Sequence, residues 1–363
     1  MNHHISRRLS ALGLALILAV PAGAAGMSAF VPNGTYSGFS DVPAGAWYTA
    51  DVEQAVKLGL MKGKGNGTFD PQGKLSAAEA ITMAVQVHAA YTGQNFTPGG
   101  SPWYMNALDY ALENGLVLRG EFSDYTAPAT RAQMAGLFAY ALPTGELERI
   151  NRVGAIPDVS ADTDHAGAIY LLYGAGVLAG AGGGAFQPQA TIDRASAAAI
   201  LNRVALPGSR VTLSLDRAPA GTTAESPDGA FRLTFGVGGW EEISADGAAG
   251  LRFQDKSGTL TALSCRKDSR TEKSLEDFAV GRLTALRDEL EGLELLEQPG
   301  MALFRGLSAL TWSYRAEGTL HTVICVENTD FYVTLDLAVQ EGEGADEWYE
   351  QMLSTAYTLD LAL

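Results

Sequence analysis

A chain of 363 residues with 47% hydrophobic and 18% charged residues has enough apolar material for two or three domains and is not disordered by composition. A formal charge of −16 excludes a basic nucleic-acid-binding face, and two cysteines exclude a disulfide-built scaffold. No Cys/His cluster has zinc spacing, so neither a metal nor a cofactor is expected.

The N-terminus reads as an export signal over residues 1–25. Arg7 and Arg8 supply positive charge, Leu9 to Val20 form an apolar run, Pro21 breaks it, and Ala22-Gly23-Ala24 offers small residues for cleavage. The run is shorter than the roughly 20 residues that span a bilayer, so a cleaved peptide is expected, with an uncleaved anchor as the alternative. No later segment is apolar enough to span, and no C-terminal Leu-Pro-x-Thr-Gly signal follows. The mature chain is therefore expected to be exported without a membrane span, and any attachment to the cell to be non-covalent.

A repeat follows. Residues 39–80 align without a gap to 156–197: Asp41-Val42 with Asp158-Val159, Gly59 with Gly176, Gly63, Gly65 and Gly67 with Gly180, Gly182 and Gly184, and Phe69-x-Pro71 with Phe186-x-Pro188. A middle copy places Trp103 opposite Trp47 and Gly115-Leu116 opposite Gly59-Leu60. The units are 38–92, 98–145 and 152–207. Each opens with an amphipathic helix: Val52, Ala55, Val56 and Leu60 in the first, Leu108, Ala111, Leu112 and Leu116 in the second, and Ile169, Leu172, Tyr173 and Val177 in the third. The glycine near the end of each suits a left-handed C-cap. A second helix is expected after Ser76, Thr130 and Asp193, the first two in capping boxes with Glu79 and Gln133. One helix pair cannot bury both of its stripes, whereas three pairs around a common axis can.

These residues resemble the S-layer homology (SLH) family. The likeness rests on Phe39-Ser-Asp41-Val42, Trp47, the Gly63 to Pro71 loop, Thr130-Arg131-Ala132-Gln133, Ile156-Pro-Asp158-Val159 and Ile192-Asp193-Arg194-Ala195. It implies an all-α, pseudo-threefold helical prism. It also implies binding of anionic, often pyruvylated, secondary cell-wall polysaccharide, which would hold an exported protein at the cell surface. The candidate ligand-binding residues are Asp41, Trp47, Trp103, Arg131, Asp158 and Arg194. A guanidinium at the first position of a helix opposes the helix dipole, yet with free N–H groups beside it, it makes a carboxylate site. Trp47 and Trp103 offer flat faces to a sugar or, alternatively, fill the core. Asp41 and Asp158 can accept bonds from sugar hydroxyls, fix a loop, or cap the first helices. The glycines admit close approach of a ligand or answer backbone geometry alone. The copies are uneven: Ala77 stands at the Arg position of the first repeat and Asp164 at the Trp position of the third. Family grooves lie between repeats, so one or two working grooves are expected.

Residues 210–363 read as an α+β domain with an antiparallel sheet. Residues 211–363 carry 26 acidic and 12 basic residues, against 15 and 11 in 26–210. A turn-rich stretch at 219–229 precedes alternating Phe231, Leu233 and Phe235, then Trp240 and a strand at 260–265. A helix starts after Ser274 and carries Leu275, Phe278, Ala279, Leu283, Leu286 and Leu290 on one face. Runs 309–315, 320–327 and 331–339 with short turns predict a meander, and a last helix runs from about 345 to 355. The order weakly resembles PsbP/Mog1-like domains. No catalytic motif appears: His321 alternates with Val323 and Cys325 as a strand residue, so no enzyme activity is expected. A repeat-tethered enzyme acting on glycans and a structural lattice subunit are the alternatives. Cys265 and Cys325 suit either a disulfide or two buried thiols.

Overall fold

Helix boundaries in the first half of the chain follow from short polar signals. In the computed structural model, which describes residues 25–180, 182, 184–213, 215, 221–235, 240–243, 250–255, 261–270, 274–342 and 344–361, six helices fall in the repeats. They are α1 (Thr49–Lys57), α2 (Ala77–Thr92), α3 (Met105–Glu113), α4 (Arg131–Tyr140), α5 (Ala166–Gly174) and α6 (Arg194–Ala205). Ser76, Thr130 and Asp193 are the N-caps of α2, α4 and α6, and both capping boxes are complete. After α1 the Leu60 N–H reaches the Ala55 carbonyl at 3.0 Å and Gly59 that of Val56 at 3.0 Å, a Schellman ending. Gly59, Gly115 and Gly176 take φ of 73°, 70° and 73° to make this turn, which costs a side-chain-bearing residue strain. All of the export signal but its last residue, Ala25, lies outside the described residues. Among those described, no helix is long and apolar enough to cross a membrane.

The chain divides into two compact units, one of residues 25–153 and 168–215 and the other of residues 154–167 and 221–361. In the helical unit, Val52, Ala55, Ile81, Ala84, Leu108, Ala111, Phe138, Leu172 and Leu201 are buried, as the stripes require. The second helices are joined in a cycle at their N-termini. Ala77 and Ala78 donate backbone N–H bonds to Ala127 and Tyr125, at 2.9 and 2.8 Å. Arg131 and Ala132 donate to Ala190 and Pro188 at 2.8 and 3.0 Å, and Arg194 and Ala195 donate to Gly73 and Pro71, both at 3.0 Å. Each repeat thus supplies the carbonyls that satisfy the helix start of another. Between α2 and α3, His88 is buried and its Nδ1 lies 2.8 Å from the Tyr110 hydroxyl. Burial holds this imidazole down to about 4.

The other unit has strands β1 (Thr222–Glu225), β2 (Phe231–Phe235), β3 (Trp240–Ile243), β4 (Gly250–Asp255), β5 (Thr261–Ser269), β6 (Glu294–Phe304), β7 (Leu307–Ala316), β8 (Thr319–Glu327), β9 (Phe331–Gln340) and β10 (Asp360–Leu361), with helices α7 (Leu275–Glu289) and α8 (Ala345–Ala356). They make an antiparallel seven-stranded sheet, ordered β3-β4-β5-β9-β8-β7-β6, and a three-stranded sheet, β1-β2-β10. The meander over β7, β8 and β9 is as the sequence predicts. Strand β1 lies inside the stretch expected to be turns, and β6 has no counterpart in the sequence reading. Leu275, Ala279 and Leu283 of α7 cluster with Leu310, Trp312, Tyr314, Val323, Cys325 and Tyr332 of the sheet. Gly167, which groups with this unit, leaves no room for a side chain: a Cβ there would stand 2.2 Å from the Leu303 carbonyl oxygen of β6.

The cysteines are both buried and free. Cys265 pairs across the ladder with Leu335 of β9, and Cys325 with the adjacent Thr334. Neighbouring residues of a strand face opposite ways, so the thiols lie on opposite faces of the sheet with β9 between them. That arrangement excludes a disulfide.

Candidate functional site

The loop that follows α1 is fixed at both ends by charged side chains. Asp41 accepts the N–H groups of Phe69 and Asp70 at 2.8 and 2.7 Å, one on each carboxylate oxygen. Partial burial works against its charge, but those bonds and the Arg194 charge outweigh it and hold the carboxyl below its ordinary value. Asp41 therefore fixes a loop and does not cap α1, whose N-cap is Tyr48. Asp158 is exposed and lies in the segment that groups with the sheet unit.

Arg194, at the first position of α6, is 4% exposed. Its Nε donates to the Phe69 carbonyl at 2.8 Å and its Nη2 to the Lys62 carbonyl at 2.6 Å, while the guanidinium lies 4.7 Å from the centre of the Phe69 ring. Nη1 stands 3.8 Å from Glu79 Oε1. Burial pulls this group below its ordinary pKa, against the opposing pull of Glu79, Asp70 and Asp41. Arg131 repeats the pattern on the third repeat, with Nε 2.7 Å from the Phe186 carbonyl and the guanidinium 4.8 Å from that ring. The open N–H donors expected at these helix starts are not available, because the inter-repeat cycle and the capping side chains take them.

Trp47 and Trp103 are 67% and 53% exposed, which removes the core-packing alternative. Each is held edge-on by the next residue: Trp47 by Tyr48 at 5.4 Å and 87°, and Trp103 by Tyr104 at 5.6 Å and 90°. Their indole faces are thereby pre-set toward solvent.

Trp103 and Arg194 meet in one groove of about 260 Å³. Its first wall is the loop Leu60 to Lys64, its second the α2 residues Glu79, Thr82, Met83 and Gln86, and Pro98 completes the lining. Three repeats contribute. Lys64 Nζ lies 3.3 Å from Glu79 Oε1, and Glu79 in turn accepts the Ser76 N–H at 2.9 Å. Gly63 is a packing requirement, since a Cβ there would lie 2.4 Å from the Phe39 ring. The sequence reading missed Lys62, Lys64 and the α2 wall. The available signal was that a lysine flanks Gly63 on each side, where the third repeat has Ala179 and Ala181. Trp47 and Arg131 do not line this groove. Among the described residues no group of three or more His, Cys, Asp or Glu side chains is placed to hold a metal ion.

A sequence model of the S-layer homology domain matches residues 38–81 and 155–198. The "Cell surface protein" of Thermoanaerobacter kivui is 42% identical over 50 residues, covering 14% of this chain and 7% of that protein. The "S-layer protein sap" of Bacillus anthracis is 28% identical over 170 residues, 44% of this chain and 20% of that one. An "Amylopullulanase" of Thermoanaerobacterium thermosulfurigenes is 31% identical over 121 residues, 30% of this chain and 6% of that enzyme. The chain thus spans a fifth or less of each relative. Among solved structures, the cyanobacterial PsbP of Synechocystis is weakly similar, with a TM-score of 0.33 and 15% identity over 39% of this chain and 92% of that one. The match to Mog1p of Saccharomyces cerevisiae has a TM-score of 0.28 and 14% identity over 39% of this chain and 94% of that one. At these scores neither likeness carries an argument.

Proposed function

We propose that this chain, which carries S-layer homology domains, is an exported cell-surface protein held non-covalently on the wall by an anionic, pyruvylated polysaccharide, and that it displays its sheet unit outward. The observation that carries this reading is the groove in which exposed Trp103, the Lys62-Gly63-Lys64 loop and Arg194 come together from three repeats. A sugar ring has an apolar face to lie on, and a carboxylate has cations within reach. The cycle of backbone bonds between second helices supports a pseudo-threefold prism as the frame of the grooves. Asp41 shapes the first groove through its loop. Trp47 and Arg131, with the guanidinium of Arg131 over the Phe186 ring, serve a second groove on the third repeat. Ala77 and Asp164 stand at the arginine and tryptophan positions of their repeats, so no third working groove is expected.

The test is co-sedimentation of the mature chain with purified sacculi. Binding is expected to intact walls and to be lost after hydrofluoric acid removes the polysaccharide. Equal binding to extracted walls would overturn the proposal. A second reading, an enzyme tethered by the same repeats, draws on the amylopullulanase alignment. Release of reducing sugar from wall glycans or α-glucans by the purified chain would establish it.

A further inference from the structure

We infer that Lys62 and Lys64 are the groups that hold the ligand's carboxylate, and that Arg194 is a positioning residue that fixes the loop presenting them. The inference rests on the wall-binding reading above and goes beyond it by assigning the work within the groove.

A guanidinium has five N–H donors. In Arg194, Nε and Nη2 are committed to the carbonyls of Phe69 and Lys62, at 2.8 and 2.6 Å, and Nη1 stands near Glu79. With the side chain 4% exposed and its plane over the Phe69 ring, little of it can turn toward a ligand. Freeing it would strip the buried Phe69 carbonyl and the part-buried Lys62 carbonyl of their partner, which is costly. Arg194 holds the carbonyl of Lys62 itself, and Asp41 holds the N–H groups of Phe69 and Asp70. The segment from Lys62 to Asp70 is therefore pinned at both ends.

The ammonium groups of that segment have the opposite character. Lys62 and Lys64 are exposed, line the groove and sit on either side of Gly63. Among the described residues the Lys64 ammonium is engaged only by Glu79, at 3.3 Å, an exposed contact in which a ligand carboxylate can replace one partner by another. The lining carries three cations, Lys62, Lys64 and Arg194, and one carboxylate, Glu79, which makes the groove a net positive site. The matching positions are Leu118 and Gly120 in the second repeat and Ala179 and Ala181 in the third. Strong selectivity for charged over neutral polymer is thus confined to the first groove.

The experiment measures affinity for released pyruvylated wall polysaccharide by calorimetry at several salt concentrations, with the depyruvylated polymer as control. Lys62→Gln with Lys64→Gln is expected to weaken binding at least tenfold, with an unchanged melting temperature. The plot of log K against log salt should become shallower by about one to two, because fewer counterions are displaced. Arg194→Lys keeps the charge but not the carbonyl bridge. It is expected to weaken binding by a similar factor while the salt slope stays that of the unaltered chain, measured well below its lowered melting temperature. The assignment is overturned if the lysine pair binds with unaltered affinity and slope, or if Arg194→Lys restores full affinity. If Arg194→Lys does not fold, the lysine pair alone decides. No binding by the unaltered chain, or equal binding to the depyruvylated polymer, would instead overturn the wall-polymer reading itself.

Discussion

Replacing Trp103 by alanine removes the flat wall of the groove while leaving its cations in place. A tryptophan side chain can bury up to about 250 Å². At 53% exposure, Trp103 leaves on the order of 130 Å² for a ligand to cover. A sugar ring lies on one face and shields about half of that area, so at about 25 cal/mol per Å² the contact contributes about 1.5 kcal/mol. Trp103→Ala is therefore expected to weaken binding to wall polysaccharide about tenfold, with the salt slope unaltered. Trp103 is only about half exposed and meets the Tyr104 ring edge-on, so the variant should also melt at a lower temperature, and circular dichroism at the assay temperature checks that it is folded. Trp103→Phe, which keeps a smaller flat face, should recover most of the affinity. The measurement is calorimetric titration with the released polymer. A loss of threefold or less in folded Trp103→Ala would refute the role of the indole as a sugar platform.

Three further outcomes follow from the geometry. His88 is held down to about 4 when folded, against about 6.5 in an unfolded chain, so between those values the unfolded chain binds more protons. Stability should accordingly fall as pH drops from about 6.5 toward 4, by up to about 1.4 kcal/mol per unit, and urea melts of His88→Gln should lose this part of the slope. The lowered carboxyl of Asp41 contributes stability that is present above its unfolded value and lost as pH falls through its folded one. Asp41→Asn should cost about 1–2 kcal/mol at neutral pH and weaken wall binding by loosening the loop from Lys62 to Asp70, both read against Asp41→Glu. Burial pushes the Cys325 thiol up to about 12, and Cys265 is raised as well, so both should resist alkylation in the folded protein and react in denaturant without reduction. A mass shift that requires prior reduction would contradict the ladder register.

Local signals carried most of the helical half. Capping boxes at Ser76 and Thr130, the Asp193 cap and the glycines at 59, 115 and 176 each act within a few residues, and each appears in the structure as the sequence indicates. What escaped is non-local. The helix-start N–H groups were expected to be open because nothing in the sequence near Arg131 or Arg194 shows that Ala190 and Gly73 will come to meet them. For the same reason the sequence does not show that the guanidinium groups of Arg131 and Arg194 are held by the carbonyls of Phe186 and Phe69, which lie in other repeats. In the sheet unit, α7 and the meander were legible from period and turns. Strand β6 was not: Pro299 and Gly300 interrupt its pattern, and it tolerates them because it is an edge strand whose register shifts there. Strand β1 is four residues long and mostly exposed, so it lacks the apolar alternation by which a strand is recognised.

Hydrogen exchange with and without released wall polysaccharide tests the groove most directly. Bound polymer should slow exchange at the backbone amides of residues 60–70 and around Trp103, and leave the amides of β7, β8 and β9 unaltered. Saturating polymer that protects only the sheet unit, or no segment at all, would contradict the placement of the wall-binding site in the repeats.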